Sequence, residues 1–120
     1  MKPKLLVTMT TYNRFDVMHL CMEYLLQDSS GFDIAVFDDG STDERMQSYL
    51  NDRRAANDIA YVDHQPPEDR AGTDVANLRL GAQRRAVVDY FMDSKYTHLL
   101  MLDDDMLLPG QTGVMVWLRS

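Results

Sequence analysis

Four short apolar runs recur along the chain, Lys4–Thr10 (KLLVTMT), Asp33–Phe37 (DIAVF), Ile59–Asp63 (IAYVD) and Thr97–Leu102 (THLLML), and the segments between them have a helical period. In Phe15–Gln27, Met18, Cys21, Met22 and Leu25 are spaced as on one helix face. Ser41–Glu44 (STDE) has the form of a capping box, Ser and Glu three apart, opening a helix that runs toward Arg54. From about Thr73 to Asp93 a third helical pattern sets Leu80, Val87, Val88 and Phe91 on one side, and Pro109 suits the first turn of a last helix, GQTGVMVWLRS. The order βαβαβαβα predicts parallel strands joined by right-handed crossovers, with helices on both faces. The runs LLV, IAVF and HLLML are nearly continuously apolar, as strands buried on both faces must be. The expected fold is α/β: a Rossmann-like, doubly wound half-domain on a mainly parallel sheet of about four strands. Residues 1–120 suffice for one compact domain with a single core, and the longest loop-like break is Asp63–Asp74.

No segment is apolar for long enough to cross a bilayer, and Lys2, Pro3 and Lys4 precede only LLVTMT, with no small-residue cleavage site after it. The expectation is a cytoplasmic protein. The one cysteine, Cys21, excludes an intramolecular disulfide and falls among Met18, Met22 and Leu25, which predicts a buried structural thiol. A net charge of −7 argues against nucleic acid as a partner, because gripping a phosphate backbone needs a positive field. Arg70, Arg79, Arg84 and Arg85 are nonetheless concentrated in the second half, where the acidic run LDDDM arrives, and acids beside arginines suit a metal–diphosphate ligand.

Ligands of doubly wound sheets bind beyond the carboxyl ends of the strands, where the strand order reverses. Three polar clusters follow such ends here: TTYNR (Thr10–Arg14), DDGSTD (Asp38–Asp43) and DDD (Asp103–Asp105). Carboxylate oxygens are hard ligands suited to Mg2+ or Mn2+, which complete their shells with water and phosphate oxygens. The plain alternative for DDD is a solvated cap on the loop before Pro109. In DDGSTD a turn and a helix cap account for Gly40–Glu44, but not for Asp38 and Asp39 together at the end of a buried strand; one of them could accept hydrogen bonds from a base or ribose. Tyr12 could stack on a base that Thr10 bonds to, and helix capping accounts equally well for Asn13.

VTMTTYNR, IAVFDDGSTDE and YTHLLMLDDDM resemble, in order and spacing, the successive signatures of GT-A-fold glycosyltransferases of family 2, and the resemblance covers nearly the whole chain. It implies that Thr10, Tyr12 and Asp39 bind uracil or another base, that Asp103 faces the ribose or sugar, and that Asp105, with Asp103, coordinates Mn2+ or Mg2+ on the diphosphate. An arginine of the helix before the last strand reaches the nucleotide in that family; Arg79 is the best match, with Arg84 and Arg85 as rivals, since the family's usual Arg-Asn pair reads Arg84-Arg85 here. The implied activity is transfer of a sugar from a nucleotide-diphosphate donor, a UDP-sugar in the first instance, to an acceptor hydroxyl on a glycan, lipid or protein, with inversion at the anomeric carbon. Family members continue beyond the D-x-D segment into an acceptor-binding half that supplies the base, so the catalytic base is expected outside these residues and the domain is expected to be incomplete at its C-terminal side. The competing expectations are a nucleotide-binding module without transfer activity and, third, a phosphoryl-transfer domain, although such domains place key aspartates after the first strand, where this chain has TTYNR. An apolar Val114–Leu118 left uncovered by a missing half would favour self-association or a partner at that end.

Overall fold

A computed structural model describes residues 3–27, 31–65, 76–104 and 115–118. The elements run β1 (Leu5–Thr11), α1 (Phe15–Leu26), β2 (Phe32–Asp38), α2 (Glu44–Ala55), β3 (Tyr61–His64), α3 (Ala76–Met92), β4 (His98–Asp103) and β5 (Met115–Leu118). The strands form one sheet in the order β3-β2-β1-β4-β5. The first four are parallel, as expected, and β5 pairs with β4 antiparallel.

The central strands β1 and β2 bury both faces, so the sheet carries two cores. On one side Met9, Ile34, Val36 and Val62 pack against Met18, Cys21 and Met22 of α1 and Met46 and Leu50 of α2. On the other, Leu6, Ala35, Phe37, Leu99 and Met101 pack against Val87 and Phe91 of α3. Adjacent residues of one strand serve opposite cores, Val36 the first and Phe37 the second, which is why the strands read as unbroken apolar runs. Cys21 is fully buried among its methionine neighbours, as its spacing predicts.

Three expectations are corrected. Met115–Leu118, placed in a last helix, is a strand; its ladder with Leu99–Met101 satisfies the backbone on one side, and Val116 and Trp117 suit a pleat better than a helix. Pro109 and Val114 lie outside the described residues. The capping box does not form: α2 starts at Glu44 and is capped by Asp43, whose carboxylate accepts from the Arg45 amide at 3.0 Å. Ser41 turns back into the sheet instead. Nor does Asn13 cap α1, whose N-cap position is Arg14 without a side-chain cap bond.

Candidate functional site

After β1 the chain turns one way, to β2 and then β3, and it later returns to the other side of β1 with β4. The order therefore reverses between β1 and β4, and the crevice at a doubly wound sheet's switch point opens beyond their carboxyl ends. The register brings the candidate residues to one level, with Thr10 opposite Phe37 and Asp103, Thr11 opposite Asp38, and Asp38 opposite His64. Of the three clusters after strand ends, the sheet brings TTYNR, DDGSTD and the first two aspartates of DDD to one edge. Asp105 lies outside the described residues, as does the side chain of Arg79, whose backbone falls in the first part of α3.

Neighbouring threonines of β1 hold neighbouring aspartates at the end of β4, Asp103 its last residue and Asp104 just beyond it. Thr10 Oγ1 donates to Asp103 Oδ1 at 3.3 Å, and Thr11 Oγ1 donates to Asp104 Oδ2 at 3.0 Å. The Asp104 carboxylate is 5% exposed and its other oxygen meets Arg14 Nη1 at 3.1 Å. Asp103 is only half buried, and among the described residues Thr10 is the one hydrogen-bond partner of its side chain.

At the end of β2, Asp38 is 1% exposed and bonded at both oxygens. Ser41 donates to Oδ1 through its amide, at 3.2 Å, and its hydroxyl, while His64 Nδ1 meets Oδ2 at 3.1 Å. Asp38 is thus occupied in holding the turn, and Asp39, beside it, is 3% exposed. Asn13 has a left-handed backbone, with φ of 48°, and joins this turn to the one after β1. Its amide donates to Ser41 Oγ at 2.7 Å, and its side-chain oxygen accepts from the amides of Thr42 and Asp43 at 2.7 and 3.3 Å. The left-handed conformation is one that asparagine tolerates better than most residues. Tyr12, half buried, stands between these two anchors.

A cleft of about 140 Å3 opens beside these turns, lined by Phe37, Asp38, Asp39, Asp63, Gln65, Ala82, Gln83 and Ala86. Gln83 was not among the expected site residues. Its Nε2 donates to the Phe37 carbonyl at 2.7 Å and lies 3.4 Å from that of Thr11, so α3 ties together the ends of the two strands that carry the candidate base-binding residues. A lone glutamine among the arginines of an amphipathic helix gives no sequence signal for that role; only the strand ends opposite it reveal it.

No family model matches the sequence, and no curated protein matches it. Solved structures do. TarS from S. aureus superposes with a TM-score of 0.60 at 21% identity, over 85% of this chain and 16% of its own. The mannosyltransferase PcManGT from Pyrobaculum calidifontis, in complex with GDP-Man and Mn2+, gives 0.60 at 17% identity, over 92% of this chain and 30% of its own. An active-site mutant of LgtC, Q189E, gives 0.50 at 17% identity, over 83% and 37%. All three are glycosyltransferases, and this chain spans between 16% and 37% of their lengths. With the parallel sheet, its switch point and helices on both faces, the chain has the GT-A-like fold of these glycosyltransferases.

Proposed function

We propose that the chain is the donor-binding part of a family-2-type glycosyltransferase, which holds a nucleotide-diphosphate sugar beyond the carboxyl ends of β1, β2 and β4. The observation that supports this reading is the register, which sets Thr10 opposite Asp103 and Thr11 opposite Asp38 at the carboxyl ends of the strands, beside the point where the strand order reverses. Thr10 and Asp39 bond the base, uracil in the first instance, and Tyr12 flanks it. Asp103 faces the ribose or sugar, and Arg79 is assigned to the nucleotide. Asp38 supports the turn from behind through Ser41 and His64.

The donor set at the end of β4 fits Mn2+ or Mg2+. Asp103 offers a hard carboxylate that no cation among the described residues neutralises, whereas Asp104 is taken by Thr11 and Arg14. Asp105 and Asp103 would hold it together with diphosphate oxygens, as Mg2+ and Mn2+ are bound by one or two carboxylates and substrate phosphates. When bound there, the ion supplies Lewis-acid neutralisation of the charge on the leaving nucleoside diphosphate. The chain's own residues bind and orient the donor so that an acceptor hydroxyl attacks the anomeric carbon opposite the leaving group, with inversion. The base that takes the hydroxyl proton is assigned outside these residues.

Amide NMR tests the placement. UDP with Mg2+ is expected to shift the amides of Thr10–Arg14, Asp38, Asp39 and Asp103–Asp105 and to leave Leu20 and Tyr24, exposed on α1, unmoved. Shifts confined to α1 and α2 would overturn the reading.

A further inference from the structure

Three consecutive carboxylates at one strand end repel one another, and the structure treats the first two unequally. Asp103 is half buried with a single hydroxyl partner, while Asp104, next to it, is almost wholly buried and held from two sides. A buried carboxylate is tolerated only when paired and hydrogen-bonded. Arg14 meets both demands: its guanidinium reaches Asp104 at 3.1 Å while 49% of the side chain remains in solvent, and its backbone carbonyl accepts from the Met18 amide in the first turn of α1. The backbone that carries the cation is therefore anchored at the start of a helix packed on the sheet, and Thr11 fixes the same carboxylate from the central strand.

We propose that Arg14 and Asp104 form an ion-paired anchor whose task is to position the neighbouring Asp103 carboxylate for a divalent cation, which makes Asp104 and Arg14 positioning residues and not ligands. This rests on the donor-site reading above. Thr10 and Thr11 are consecutive on β1 and point to opposite faces, and each holds one of the two aspartates, so fixing Asp104 at Thr11 keeps Asp103 with Thr10 on the other side. It also removes one negative charge of three from the run without giving up a carboxylate that grips the sheet. Residues that orient a metal's ligands commonly govern its affinity by about 10- to 100-fold.

The test is a Mn2+ titration followed by electron paramagnetic resonance in the presence of UDP, on the wild type, Arg14→Met, Asp104→Asn and the double variant, with circular dichroism confirming the fold of each. Each single change is expected to weaken Mn2+ binding by about 10- to 100-fold, the double variant to be no worse than the worse single, and Arg14→Lys to recover part of the loss. The double variant removes both charges together and strands neither, so its own loss of affinity tests the claim even where a single variant does not fold. Folded variants with wild-type Mn2+ affinity would overturn the proposal, and so would losses that multiply in the double variant, because Arg14 would then act on the nucleotide itself. If the wild type binds no Mn2+ with UDP, the donor-site reading fails and takes this one with it; wild-type binding with indifferent variants sinks this one alone.

Discussion

The Thr10 hydroxyl donates to Asp103 Oδ1 at 3.3 Å, across the junction where the sheet changes direction. The two residues lie 93 positions apart in sequence and directly opposite in the β1–β4 ladder. Their contact joins the first polar cluster to the last. In Thr10→Val the shape stays and the bond goes. A partly exposed carboxylate keeps water as a substitute, so chemical denaturation should show a loss of no more than about 1 kcal/mol. Nucleotide affinity, measured by calorimetry, should nevertheless fall severalfold, since Asp103 loses its one fixed partner among the described residues; unchanged affinity would separate Thr10 from the site.

Asp38 carries a heavier structural duty. Asp38→Ala removes the acceptor of the buried Ser41 hydroxyl and the partner of His64 Nδ1, and among the described residues His64 Nε2 is already buried without a partner. The expected cost is about 2–3 kcal/mol in urea denaturation, from polar groups that lose partners without regaining water. A variant as stable as the wild type would show that the turn after β2 does not depend on this carboxylate.

Asn13 lends itself to a comparison of two substitutions. Asn13→Gly and Asn13→Ala both lose the bonds to Thr42 and Asp43, but alanine must also adopt the left-handed φ of 48°. That conformation costs a residue with a Cβ about 1–2 kcal/mol. Asn13→Ala should therefore melt below Asn13→Gly, and the reverse order would mean that the turn rearranges when the asparagine is lost.

Alkaline pH should loosen the packing of α1 on α2. Burial and the Glu23 carboxylate, which its hydroxyl bonds at 2.8 Å, push the Tyr49 phenol up to about 12. A group whose folded pKa is raised stabilises fully below its unfolded value, here 10.0, and that contribution fades as pH climbs toward 12. Glu23 works in the opposite sense: the Tyr49 hydroxyl and Arg53 hold its carboxyl below 4.5, so its contribution is present above that pH and lost in acid. Thermal melts from pH 9 to pH 12 should show the wild type losing stability where Tyr49→Phe does not; parallel curves would remove Tyr49 as the source.

Much of the fold was legible because burial on both faces leaves a plain mark. Val7, Met9, Ile34, Val36 and Leu99 sit in runs too apolar for any surface strand, and the helical spacing of Met18, Cys21 and Met22 matched the face that packs. The last element was misread because a strand of four residues is too short to show a period of two, and its pairing partner Leu99–Met101 lies well before it in sequence. Ser41 and Glu44 show a related ambiguity. The same spacing serves a capping box or a turn in which the serine folds back to a buried aspartate, and only the His64 and Asn13 contacts decide between them. At the site the residue types and strand ends were readable. The unequal treatment of Asp103 and Asp104 was not, because it depends on Thr11 and Arg14 arriving from the far end of the chain.

The most direct measurement is titration calorimetry of UDP with and without Mn2+, on the wild type and Asp105→Ala. Binding that needs Mn2+ and disappears in Asp105→Ala is the predicted result. Binding indifferent to both, or no binding of UDP or any other nucleoside diphosphate under either condition, would contradict the assignment of this sheet edge as a metal-dependent donor site.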